Sequence, residues 1–135
     1  MAGCVVDTRQ EAETGMIEQV VLIAVDVTVN EGQLEAFKSV AAQLTEYSKN
    51  EPRTLGYEWF AGADAKSFRL VETYANPAAV EAHFSGPAVQ LGVPRLLAVC
   101  MVDRFEIYGD PGPAVSQTAK GMGAVIFPYW LGLDR

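Results

Sequence analysis

Residues 20–29 read VVLIAVDVTV, with Val21, Ile23, Val25, Val27 and Val29 on one side of an extended backbone and Val20, Leu22, Ala24, Asp26 and Thr28 on the other. So dense a run of β-branched residues predicts a strand that is largely covered on both faces. The period then changes. Leu34, Phe37, Val40, Ala41, Leu44 and Tyr47 recur at spacings of three and four, the stripe of an amphipathic helix. Asn30 with Gln33 predicts a capping box at its start, and Pro52 forbids helix beyond Glu51. Two aromatic-rich runs, Thr54 to Ala61 and Ser67 to Tyr74, flank a short Gly/Asp turn and predict an antiparallel hairpin. Asn76-Pro77 starts a second helix that runs to about Ser85 and stops near Gly86-Pro87. Residues 88–97 add a further helical turn or two, and Ala98 to Tyr108 reads as a fourth strand.

Strand, helix, strand, strand, helix, strand is the order of a ferredoxin-like α+β unit: βαββαβ, one antiparallel sheet, both helices on one face. The other face then needs a cover, because strand one carries Leu22 and Ala24 there and strand four reads as apolar on both sides. A second copy of the chain, packed sheet against sheet, is the expected cover, which makes the fold a dimeric α+β barrel. Residues 1–18 are polar and aperiodic and read as a flexible arm, with Met16 as an alternative start. The ferredoxin-like domain spans 19–109. Residues 110–135 form an extension whose apolar end, MGAVIFPYWLGLDR, must pack on the domain or on the partner subunit.

Composition narrows the function. The 135 residues are 50% hydrophobic and 20% charged, enough for a core without metal or disulfide staples. A net charge of -7 with no Lys/Arg cluster disfavours nucleic acid. No apolar run reaches the roughly 18 residues of a membrane helix, and the N-terminus lacks the pattern of a secretory signal, so a cytoplasmic protein is expected. Cys4 and Cys100 are poorly placed to bridge and read as plain thiols. There is no phosphate loop, dinucleotide fingerprint, nucleophile-elbow serine or second histidine, so neither a nucleotide cofactor nor a metal is expected.

The only histidine, His83, shares a helix stripe with Ala79, Val80 and Phe84, so its ring points towards the sheet. It is either a core histidine satisfied by one hydrogen bond or a group held for proton transfer. Glu72 lies between Leu70 and Tyr74 on one strand face. It is either an ordinary glutamate, in water or bound to Arg69 or Arg95, or a buried carboxylate that meets His83 and tunes it. Tyr57, Trp59, Phe60, Phe68 and Tyr74 crowd the hairpin, as core or as walls of a cavity for a planar apolar ligand.

The segments TLGYEWF, FRLVETYANPAAVEAHF and FEIYGDPGP together resemble the antibiotic biosynthesis monooxygenase family, which includes quinol monooxygenases, within the dimeric α+β barrel superfamily. The likeness covers roughly residues 18–110, and its most recognisable part is Glu72, Tyr74 and His83 in the pattern E-x-aromatic, then A-x-x-x-A-H. It implies a homodimer that oxidises a small electron-rich aromatic or quinol-type substrate with molecular oxygen and no prosthetic group. It also implies His83 as base or anchor, Glu72 as its orienter, and Tyr57, Trp59, Tyr74 and Phe84 as substrate-binding walls. Related haem-degrading enzymes carry an iron-binding histidine after the second helix. Residues 87–97 contain none, which leaves His83 as the sole substitute and puts haem breakdown in doubt. Two other readings stay open on the same scaffold: an isomerase- or lyase-like proton-transfer enzyme, and a non-catalytic small-molecule-binding module, the latter favoured if Glu72 is exposed and far from His83.

Overall fold

The computed structural model describes residues 20–133. The arm expected over 1–18, with Met16 and Cys4, lies outside the described residues. The elements are β1 (Val21–Val29), α1 (Leu34–Lys49), β2 (Thr54–Ala61), β3 (Ser67–Tyr74) and α2 (Pro77–Ser85). A π-helical turn (Ala88–Gly92) runs into α3 (Val93–Leu97), followed by β4 (Cys100–Tyr108), α4 (Pro113–Gly121) and β5 (Val125–Phe127). The sheet order is β2-β3-β1-β4-β5, with β1 antiparallel to both β3 and β4. This is the expected α+β, ferredoxin-like arrangement.

Val21, Ile23, Val27 and Val29 of β1 are buried towards the helices, Val27 and Val29 with Phe37 and Leu44 of α1, Val21 and Ile23 with Val80 and Phe84 of α2. The start of α1 differs from the expected capping box. Gly32, at a φ of +77°, breaks helical backbone, so residues 30–33 form a turn in which the Gln33 N–H donates to Asn30 O. The helix opens at Leu34 with no side-chain cap. The start of α2 follows the sequence signal, Asn76 Oδ1 accepting the Ala79 N–H at 2.9 Å with Pro77 in the first turn. Gly92 lets the π-helical turn lie against α1, because a Cβ there would stand 2.3 Å from Leu44 Cδ2.

The sheet has a fifth strand that the sequence pattern does not announce. After left-handed turns at Gly109 and Gly112, α4 buries Val115 and Ala119 in the same core as Val80 and Phe84. β5 then pairs parallel with β4, Ile126 opposite Ile107. An intervening helix is what a parallel return requires, and three residues of strand are too few to signal by alternation.

The face away from the helices is mixed. Leu22, Phe60, Val71, Val125 and Phe127 are exposed. Strand four is not apolar on both sides, since Arg104 and Glu106 pair with Asp26 and Ala24 of β1 on this face. Asp26 holds Arg69 and Arg104, each at 3.4 Å. A register shift between Asp26 and Val27 turns Val102 to the helix side.

Candidate active site

Between sheet and helices lies a cavity of about 250 Å³. Ile23, Val25 and Leu70 of the sheet, Leu44 of α1, and Val89, Val93, Leu96 and Leu97 of the π–α3 segment make most of its wall. Phe84, Phe105, Val102 and Met122 complete the apolar lining, and Tyr57, Glu72 and His83 supply its polar end. The Met122 contribution means that the C-terminal extension helps to bound the cavity.

His83 sits in the last turn of α2 and is 4% exposed. Its stripe faces β3, where Glu72, 5% exposed, lies between Leu70 and Tyr74. His83 Nε2 stands 3.6 Å from Glu72 Oε1, an ion-pair distance longer than a hydrogen bond. The Tyr74 hydroxyl donates to the same oxygen at 2.5 Å. The alternative partners of Glu72 are engaged elsewhere, Arg69 with Asp26 and Arg95 with Gln43 Oε1 at 2.6 Å. The exposed, remote Glu72 that would favour a binding module is not what the fold produces.

Sequence reasoning missed one member of the cluster. His83 Nδ1 lies 2.8 Å from Glu51 Oε1, a group 32 residues earlier in the loop after α1. The Thr54 hydroxyl donates to that same oxygen at 2.7 Å, while Glu51 Oε2 is buried without a hydrogen-bond partner among the described residues. In sequence Glu51 shows only as the residue before a helix-stopping proline, and no local pattern marks it. The aromatic rings of Tyr74, Tyr57 and Phe84 surround the imidazole, with centroids at 5.1, 5.8 and 6.2 Å.

Burial pushes the Glu72 carboxyl above its ordinary range, with Glu51 adding to the rise and His83 and the Tyr74 hydrogen bond opposing it. Burial, then Glu72, also raises both Tyr57 and Tyr74, so their hydroxyls remain donors. A neutral imidazole with Nδ1–H donating to Glu51 leaves the Nε2 lone pair on the side of Glu72 and the cavity.

Four of the six expected site residues, Tyr57, Glu72, His83 and Phe84, line the cavity. Tyr74 stands behind Glu72 as its donor. Trp59 does not line it. The indole N–H donates to Thr45 Oγ1 at 3.0 Å and the ring meets the edge of Phe37, which ties Trp59 to the outer side of α1. Phe68 packs on Phe37 as well, and Phe60 lies on the open face. Most of the hairpin's aromatic content therefore points away from the cavity, whose walls are mainly aliphatic.

Among the described residues no group of three or more His, Cys, Asp or Glu side chains is arranged to hold a metal. Burial, then Asp103, pushes the Cys100 thiol up to about 11, far from a reactive thiolate. No helix among the described residues is long and apolar enough to cross a membrane.

Residues 20–95 match the family model described as antibiotic biosynthesis monooxygenase. No curated protein matches the sequence. Among solved structures, MupZ from Pseudomonas fluorescens is similar over 87% of this chain and 95% of its own, with 18% identity and a TM-score of 0.72. That share is larger than residues 1–109 provide, so the likeness includes part of the extension. SnoaB from Streptomyces nogalater, described as a cofactor-independent oxygenase, is similar over 70% of this chain and 96% of its own, with 16% identity and a TM-score of 0.60. A conserved protein of unknown function from Bacteroides thetaiotaomicron, described as a possible oxidoreductase, is similar over 67% and 96%, with 23% identity and a TM-score of 0.61. At these identities the likenesses establish the fold.

Proposed function

The chain belongs to the antibiotic biosynthesis monooxygenase family, and from that premise we propose that it is a cofactor-independent monooxygenase acting on a small electron-rich aromatic, quinol or comparable enolisable substrate. The observation that carries this reading is the pairing of His83 with Glu72 at the one polar end of an otherwise apolar cavity. His83 Nε2 takes the phenolic or enolic proton, and the electron pair stays on the substrate. The substrate anion reduces molecular oxygen. One oxygen atom forms the new carbon–oxygen bond, and the other leaves as water with the two hydrogens the substrate gives up. Apolar walls withhold water from the anion, and the Tyr57 hydroxyl donates to the substrate oxygen, a role supported by its place in the cavity lining. Glu72 orients the substrate from the polar end of the cavity.

The test is oxygen uptake by purified protein with a hydroquinone or anthrone-type substrate, compared with autoxidation. His83→Ala is expected to lower the excess rate by roughly 100- to 10,000-fold; no excess in the wild type across such a panel overturns the proposal. The mainly aliphatic wall and the flanking carboxylates also support a second reading, proton-transfer chemistry of the isomerase or lyase kind. Turnover that persists without oxygen selects it.

The active form in this proposal is a homodimer joined through the open sheet face, supported by the exposed Leu22, Phe60, Val71, Val125 and Phe127. Light scattering of the purified protein decides it, a monomer mass at micromolar concentration counting against it.

A further inference from the structure

His83 has two carboxylate neighbours, and they are not equivalent. Glu72 is 3.6 Å away with a side chain 7% exposed, and lines the cavity. Glu51 is at hydrogen-bond distance, 2.8 Å, with a side chain 16% exposed. It lines a separate groove on the outer side of the molecule, between the loop 50–54 and the start of α2. Asn50, Pro52, Arg53, Ala78 and Ala82 of that groove are all exposed. The imidazole is therefore a partition between a mainly apolar cavity and a groove reached by solvent.

We infer that Glu51 is the positioning residue of the site: from the outer groove it fixes the proton of His83 on Nδ1, turns the Nε2 lone pair into the cavity, and stabilises the imidazolium formed there. The inference rests on the reading of His83 as the base and deepens it.

A carboxylate held on one imidazole nitrogen selects the tautomer and orientation of the other and stabilises the positive charge that appears when the other accepts a proton. Glu51 is itself held. Its N–H donates to Ser48 O at 3.0 Å at the end of α1, and the Thr54 hydroxyl donates to Oε1. The Ala75 N–H donates to Arg53 O at 3.1 Å, which ties the loop to the entry of α2. When the substrate O–H or C–H bond breaks, its electrons remain on the substrate and its proton goes to Nε2. The Nδ1–H stays shared with Glu51, and the Nε2 proton returns to the oxygen that departs as water. Glu72 is poorly suited to this task, because its nearer oxygen already receives the Tyr74 hydroxyl and its distance to the ring is too long for a hydrogen bond.

Because the chain has a single histidine, its imidazole ¹⁵N signals report His83 without ambiguity. In the wild type the neutral ring is expected to carry its proton on Nδ1. Glu51→Gln should keep it there, since the carboxamide oxygen still accepts, whereas Glu51→Ala should move it to Nε2, the nitrogen that free side chains prefer. A wild-type proton on Nε2 alone overturns the inference, and this arm needs no substrate. With an oxidised substrate in hand, Glu51→Ala should lower kcat by roughly 100-fold with KM little changed. Because the groove is open, acetate or formate should restore part of the loss in proportion to its concentration. A merely structural role predicts no such rescue, and its absence in a folded Glu51→Ala protein overturns the assignment. If Glu51→Ala does not fold, Glu51→Gln decides: a full wild-type kcat there refutes the need for the charge. Wild-type inactivity across the substrate panel refutes the oxygenase reading while the ¹⁵N arm still decides the role of Glu51.

Discussion

Replacing Tyr74 by Phe removes one hydroxyl and little else. Tyr74 is fully buried, and its hydroxyl is the hydrogen-bond donor of Glu72 at 2.5 Å. Burial lifts the Glu72 carboxyl above its ordinary 4.5, so its contribution to folding is fully present below that value and is lost as pH rises through the folded-state value. The Tyr74 hydrogen bond opposes the lift; without it the lift grows, and so does the loss on the alkaline side. A neutral hydrogen bond contributes about 0.5–1.5 kcal/mol, and one to a charged group about 1.5–3 kcal/mol. Tyr74→Phe should therefore cost about 1 kcal/mol where Glu72 is protonated and about 2 kcal/mol where it is ionised. Urea unfolding at two pH values, one below 4.5 and one above the folded-state value found by titrating the wild type, measures both, and with a slope of about 2 kcal/mol per molar the midpoint should fall by about 0.5 M and about 1 M respectively. Equal losses at the two pH values would refute the reasoning, because the hydroxyl would then not be serving a titrating carboxyl.

Gly92→Ala should destabilise the protein by about 1–3 kcal/mol, because the new methyl group meets Leu44 Cδ2 at 2.3 Å in a filled core. Adding Leu44→Ala should make the combined loss smaller than the sum of the single losses, as equilibrium unfolding of the four proteins will read, and strict additivity would count against the contact. Trp59→Phe should cost about 1 kcal/mol through the lost bond to Thr45 and leave substrate KM unchanged, since the indole lies off the cavity. Cys100, buried and with its thiol raised to about 11, should resist iodoacetamide in the folded protein and react on denaturation, as peptide mass mapping will show.

Half of the candidate site is local and was legible. His83 follows Ala79 and Val80 at helical spacing and Glu72 lies two residues from both Leu70 and Tyr74, so periodicity alone turns both inward. Their meeting follows from β3 leading directly into α2. Glu51 belongs to the other half. It reaches His83 only because α1 ends where α2's last turn passes, and a contact across 32 residues leaves no periodic trace. Trp59 illustrates the same limit. It shares a strand face with Tyr57, yet Thr45 and Phe37 of α1 draw it outwards while Tyr57 remains in the cavity.

Alternation, helical stripes, proline stops and the Asn-Pro cap acted within a few residues of one another, and they alone determined the βαββαβ order, the bounds of most elements and the α+β class. Long-range packing decided the rest: the parallel β5, the charged pairs on the open face, the aliphatic rather than aromatic cavity and the second carboxylate on the imidazole. Each of these depends on which distant segment arrives beside a given side chain. Local pattern carries burial and periodicity, but the identity of a distant neighbour exists only once the chain has closed on itself.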